Sequence, residues 1–420
     1  MERKTEQMIE KTDLRNRRQA RFGRSPIFVI VMTLFIDATG FGIIIPLLPF
    51  YAETFQAGSA ALGILVASFS LMQFIFSPIL GRISDNVGRK PVLIISILTS
   101  AASFILFAVA DSFFILLLSR IVAGLATETA VAQAYISDIT SRKERASGIG
   151  KVGAAHGAGF IIGPAIGGFL SVYGFSTPGF AAVFLTSVNL LFVLFFLPES
   201  LRKESSELLL SPSSRSSFFH KLLAAFAKPL MGAVLIIFFI VFLSFSAIPV
   251  IMPLLGVAFF GFGSVEMSYF FMYIGTVQII LQGVVIGRLT KKFGEEKLIA
   301  FGPLLLMLGI FLMPLIPNIL IFMFSLTMIA SGSGIMRTVV PSFISKITPA
   351  NEQGGTLGAA NSVASIATVP GPLIGGSLFE FAGLAAPFFA SAAILIAAFG
   401  LGCKVFHACS RGLEKQFAKP

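Results

Sequence analysis

Nearly uncharged runs of eighteen or more mostly apolar residues recur along this chain from end to end, and they decide most of what it can fold into. As a helix, each run is long enough to cross a hydrocarbon core of about 30 Å. Twelve can be marked, at 26–51, 60–80, 91–110, 112–137, 147–173, 178–197, 230–258, 264–286, 298–316, 318–344, 354–382 and 385–407. Composition agrees: 12% of the 420 residues are charged, about half the ~25% of soluble domains. Many of the 40 Gly and 21 Pro fall inside the runs, which membrane helices tolerate and soluble helices mostly do not. The expected fold class is an all-α membrane protein of twelve transmembrane helices.

A net charge of +11 in a soluble chain would suggest nucleic acid or a membrane surface as partner. Its distribution says more. The two tails, the even-numbered loops and the span ends beside them gather 29 of the 31 Lys and Arg, leaving only Arg120 and Arg337 deep in spans. The odd-numbered loops hold none. By the positive-inside rule both termini are then cytoplasmic, in the cell (inner) membrane. The basic stretch "RNRRQARFGR" reads as a topology determinant against anionic headgroups, with no nucleic-acid partner expected. The first 25 residues lack the short apolar stretch of a cleavable signal peptide. Cys403 and Cys409, close together at one end, offer no disulfide framework.

The chain also repeats itself. "GRISDNVGRK" at Gly81 returns as "GRLTKKFGEEK" 206 residues on, at Gly287, and "GPAIGGFL" at Gly163 returns as "GPLIGGSL" 208 residues on, at Gly371. Arg120 in span four and Arg337 in span ten look like a third pair. Between the copies lies a polar, Ser-rich stretch with Pro at both ends. The expected organisation is a cytoplasmic tail (1–25), a six-helix bundle (26–197), a linker (198–229) with a short surface helix at 218–227, a second six-helix bundle (230–407) and a tail (408–420). Two such halves in pseudo-symmetric arrangement suit a transporter that rocks around a central site.

Several stretches resemble the major facilitator superfamily and, within it, the 12-helix drug:proton antiporters. "GRISDNVGRK", with Gly81, Asp85, Gly88, Arg89 and Lys90, is similar to the superfamily's loop 2–3 signature. "FIDATGFGIIIPLLPF", with Asp37, is similar to the antiporters' first span, and "SRIVAGLATETAVAQAYISDIT" carries the Arg120 of their fourth. "GFIIGPAIGG", with Gly159, Gly163, Pro164, Gly167 and Gly168, resembles their span-five motif. The tetracycline/proton antiporter group fits the first 200 residues well and the rest more loosely. The resemblance implies a cytoplasmic gate at the loop 2–3 cluster and an export direction from the span-five motif. Two departures stand out. Glu128 occupies a part of span four where that group has small residues, pointing to a cationic cargo in an acidic cavity. "AFGPLLLMLGIFLMP" also lacks the group's span-nine acid.

Physical readings of the same residues run in parallel. Gly81 would let another helix approach closely, and Asp85 would sit at a helix N-terminus, where the macrodipole favours an anion, with Arg89 and Lys90 to pair with it. The span-five glycines stand at small-xxx-small spacing around a helix-bending proline. Ionisable groups inside a bilayer are costly and so mark function. Desolvation favours the neutral acid and a nearby guanidinium favours the carboxylate, so Asp37 and Glu128 are the expected proton carriers and Arg120 their counter-charge. On a continuous helix Glu128 would sit 80° round from Arg120. Gln73, Gln133, Asn189, Gln278, Gln282, Arg337 and Asn361 are candidates for the substrate pathway, while His156 reads as helix packing.

No G-x-x-x-x-G-K-[ST] loop is present for an ATP-driven pump. Neither a nucleophile–base set nor a metal-ligand cluster supports an enzyme. No cofactor or metal is expected beyond a coupling proton. The reading is a monomeric secondary transporter exporting small amphipathic compounds in exchange for protons; a carrier of a metabolite, sugar or lipid is the alternative.

Overall fold

The computed structural model describes residues 26–140, 145–200, 226, 228–348 and 353–410. The N-terminal tail, nearly all of the linker with its expected surface helix, and residues 411–420 lie outside the described residues.

Helices make up the described chain, and no strand occurs among those residues. In the first half they are α1 (Pro26–Thr54), α2 (Ser59–Val87), α3 (Arg89–Ala108), α4 (Phe113–Ile139), α5 (Arg145–Ser171) and α6 (Ser176–Phe196). The second half has α7 (Pro229–Phe260), α8 (Ser264–Phe293), α9 (Glu295–Leu312), α10 (Ile319–Ile347), α11 (Gln353–Ala367 and Pro370–Ala382) and α12 (Ala386–Ser410). Eleven of them are long and apolar enough to cross a membrane. The twelfth, α9, has 18 residues and opens on Glu295, Glu296 and Lys297, so its apolar stretch is shorter than a full span. It packs against α10 and α12 as an integral member of its half. Large apolar side chains such as Phe114, Phe184, Phe195, Leu320 and Phe381 point outward, as they do when lipid rather than water covers the surface.

Several helices are interrupted, and most breaks have a visible cause. Pro46 and Pro49 turn α1 through a 3-10 segment at Ile45–Leu47, and Pro370 follows the gap in α11. A π-turn at Leu281–Val285 interrupts α8. The break in α4 at Ala126–Thr127 has no proline; Thr127 leaves helical geometry with φ −138° and ψ 53°, and a new helix starts at Glu128.

The repeated glycine motif sets the architecture. A Cβ at Gly159 would lie 2.7 Å from Ala38 Cβ, and one at Gly163 2.8 Å from the Gly42 Cα. Gly167 meets the backbone of Ile43 more closely still. These glycines bring α5 onto the backbone of α1, where dispersion and Cα–H contacts replace side chains. Gly371 and Gly375 seat α11 on α7 in the same way, against Leu243, Ser246 and Ala247. The last glycine of each copy crosses between halves: Gly168 touches Ser268 of α8, and Gly376 touches Ser59 and Gly63 of α2.

Those crossings all lie at one end of the molecule. Ser171 and Ser264 hydroxyls meet at 2.9 Å, Glu380 of α11 accepts the Ala60 N–H of α2 at 2.8 Å, and Gly63 abuts Pro372. At the opposite end, where α1 begins and α12 finishes, Gly81, Gly150, Gly153, Gly283, Gly287 and Gly358 have nothing within 4 Å of an added Cβ. The halves are therefore closed on the far face and apart on the terminal face. Gly81 admits no neighbouring helix in this arrangement, contrary to expectation.

Candidate functional site

Between the halves lies a cavity of about 410 Å³. The first half lines it with Asp37 and Phe41 of α1, Phe69 and Gln73 of α2, Ser100 of α3, Arg120 and Glu128 of α4, and His156 and Phe160 of α5. The second half supplies Phe242, Phe245 and Ser246 of α7, Arg337 of α10, and Ser365 and Thr368 of α11.

Four of the five titratable groups share one level, Arg120 lying deeper. Asp37, Glu128 and His156 each lie eleven residues from the terminal-face end of their helix, and Arg337 lies ten. At 1.5 Å per residue that is about 16 Å of helix, close to the middle of a ~30 Å core. Ser100 lies at the same level, and its hydroxyl donates to Glu128 Oε1 at 2.7 Å. Glu128 is also the first residue of the second α4 segment. The α4 break thus gives a buried carboxyl the N–H groups and positive end of a new helix. Asp37 faces the same chamber from α1.

Arg120 does not fulfil the role of counter-charge. It is buried, its Nε donates to Ser119 Oγ at 3.2 Å, its Nη2 has no partner, and its guanidinium sits 5.5 Å from the Phe107 ring centre. No carboxylate lies within 4.0 Å of it among the described residues. The α4 break re-aims Glu128, so the 80° relation of a continuous helix does not apply. Arg337 is not the positional twin of Arg120 either: it is the nineteenth residue of α10, whereas Arg120 is the eighth of α4. Its side chain faces the hollow, 5.1 Å from the Phe242 ring centre. With two guanidiniums beside two carboxyls, the cavity is not the acidic one the sequence suggested.

Of the uncharged candidates, only Gln73 lines the cavity. Asn189 is buried in packing, its amide donating to the Thr33 carbonyl at 3.3 Å. Gln278 donates to Ser333 Oγ at 3.1 Å within the second half. Gln133, Gln282 and Asn361 are exposed and do not line this cavity. His156, read as packing, lies on the wall, its ring 5.1 Å from Phe160 and its Nδ1 unpartnered.

The loop 2–3 cluster is built differently from its sequence reading. Asp85 lies in the last turn of α2, not at a helix N-terminus, and pairs with Arg89 Nη1 at 2.6 Å. Gly88, at φ 119°, makes the turn that only glycine takes without strain. Buried Arg89 also donates to Ser84 Oγ at 2.6 Å and to Asp138 Oδ2 at 2.9 Å. The anion at a helix start is Glu199, which accepts the N–H groups of Arg89 and Lys90 at 2.9 and 3.0 Å. Lys90 Nζ reaches the Leu194 carbonyl. Ser84, Asp138 and Glu199 were missed; the acids sit at the ends of spans four and six, where end charges pass for topology signals. Since Pro198 accepts from Tyr135 and Ser200 donates to Asp138, the first half continues to Ser200.

Two like-built helical lobes around a solute-sized chamber, closed on one side, define a membrane transporter. The chain belongs to the Major Facilitator Superfamily, whose profile it matches over residues 30–286 and 276–415. It is 29% identical to multidrug resistance protein 2 of Bacillus subtilis (strain 168), covering 89% of this chain and 94% of that protein. With the class E tetracycline resistance protein of Escherichia coli it shares 32% identity over 84% of this chain and 88% of the other. The fold matches the crystal structure of nucleoside transporter NupG with a TM-score of 0.75, at 14% identity over 91% of this chain and all of that one.

Proposed function

We propose that the chain exports small amphipathic, drug-like compounds across the cell membrane in exchange for protons, as a monomer with both termini cytoplasmic and without enzymatic chemistry. The observation that carries this reading is that Asp37 and Glu128 both line, at mid-depth, the chamber between the two halves. The Ser100 hydroxyl and the α4 helix start hold the Glu128 carboxyl in place. Each change of access alters the water and the partners around the two carboxyls, so a proton is taken on one side and given up on the other. The names of the curated relatives, multidrug and tetracycline resistance proteins, support the same reading, and the charge split supports the orientation.

In this reading the Arg89 cluster, with Gly81, Asp85, Gly88 and Lys90, is the cytoplasmic gate, standing open. Gly159, Gly163, Pro164, Gly167 and Gly168 form the rigid α1–α5 seam that lets the first half move as a unit. Arg120 braces α4 against Phe107.

The test is accumulation of the amphipathic aromatic naphthalene-2-sulfonate in inverted proteoliposomes with and without an imposed proton gradient. The gradient should drive accumulation, and Asp37→Asn or Glu128→Gln should reduce the driven flux to background while leaving binding intact. Movement indifferent to the gradient would instead indicate a facilitative carrier of a metabolite, sugar or lipid.

A further inference from the structure

We infer that Arg337, with His156 opposite it, is the subsite for an acidic group on the cargo, so the compounds moved are amphipathic aromatics bearing a carboxylate or sulfonate. This rests on the proposed transport through the same chamber and names the chemistry that its second-half wall selects.

The two walls differ in charge. Both carboxyls of the chamber, Asp37 and Glu128, belong to the first half, and the second half contributes no acid to the lining. Arg337 is its one charged group there. Among the described residues Arg337 has no carboxylate within 4.0 Å and no hydrogen bond; its guanidinium lies 5.1 Å from the Phe242 ring centre. A guanidinium at mid-membrane depth is expensive unless an anion or fixed dipoles compensate it. Five N–H donors in a planar fork suit a carboxylate or sulfonate, which they bind in bidentate fashion.

His156 adds a second opening of the same kind from the first half. Its Nδ1 is buried and unpartnered on the chamber wall. Phe160 lies 5.1 Å from the His156 ring and Phe242 5.1 Å from the Arg337 guanidinium, and Phe41 meets Phe160 edge-on at 5.6 Å, giving an aromatic body a place to rest. An acidic group held there touches both halves at once, which ties occupancy to their relative position. Arg120 also borders the chamber from deeper in α4, with its Nη2 buried and unpartnered.

Two probes with one ring system and opposite charge test this: naphthalene-2-sulfonate and trimethyl(2-naphthyl)ammonium, titrated calorimetrically into the full chain in lipid nanodiscs. The wild type should bind the sulfonate, and R337Q should weaken it about tenfold or more while changing the ammonium probe less than about twofold. R337K, which keeps the charge, should fall between, and H156F should cost the sulfonate about two- to threefold. Equal weakening of both probes by R337Q, or sulfonate binding that R337Q and R337K leave unchanged, overturns the subsite. Proton-driven efflux of the sulfonate probe is scored separately. If it is absent while sulfonate selectivity holds, the export reading falls and the subsite stands.

Discussion

The two terminal-face turns, 206 residues apart, have the same backbone and opposite chemistry. Gly88 and Gly294 both take positive φ, 119° and 79°, and in each case a helix starts at the next residue. After Gly294 the first turn of α9 is acidic, which suits the positive end of a helix. Glu295 accepts from Ser342, and Glu296 pairs with Lys346 at 3.2 Å. After Gly88 the first turn carries Arg89 and Lys90 instead, the wrong sign for that end. The first half compensates by bringing Glu199 from beyond α6 onto the exposed N–H groups, and by surrounding Arg89 with Asp85 and Asp138. The fold requires the glycine and the helix start. It does not require the cations, whose retention at a cost in extra partners fits a working gate in the first half and a plain structural turn in the second.

That contrast can be broken experimentally. The largest effect is expected at the α1–α5 seam: Gly163→Leu should abolish recovery of monodisperse protein, whereas Gly81→Ala should purify normally, as scored by size-exclusion profile. Arg89→Ala leaves Asp138 and Asp85 without their buried cation, and should lower stability by about 3 kcal/mol in denaturant unfolding in detergent. Glu380→Ala removes the α11 carboxylate from the start of α2. It should cost about 1 kcal/mol and raise alkylation of a cysteine placed at Ala57 in a chain lacking Cys403 and Cys409. Lys346→Ala should be worth less than about 1 kcal/mol, since that lysine is 62% exposed. Equal losses for Arg89→Ala and Lys346→Ala would erase the distinction between the two turns.

What could be read from the sequence followed its periodicities. The spans came from run length, the two halves from repeated motifs, and a close-packing face on α5 from glycine spacing, though not α1 as its partner. Pairings across long separations were out of reach: nothing local ties Glu199 to Arg89, 110 residues earlier. The α4 break was invisible because no proline or glycine occupies Ala126–Thr127, and it changed what Glu128 faces. Orientation around a nearly all-apolar helix is weakly encoded, so Asn189 and Gln278 went into packing and Gln133, Gln282 and Asn361 off the wall. His156 could have been found by its depth, shared with Asp37 and Glu128, had the start of α5 been known.

The anchoring of Glu199 bears on how this protein can be divided. A split version made as two co-produced polypeptides should be cut after Ser200. A first fragment ending at Leu197 would keep all six of its helices yet leave α3 uncapped and Asp138 without its Ser200 bond, so it should reassemble with its mate far less often.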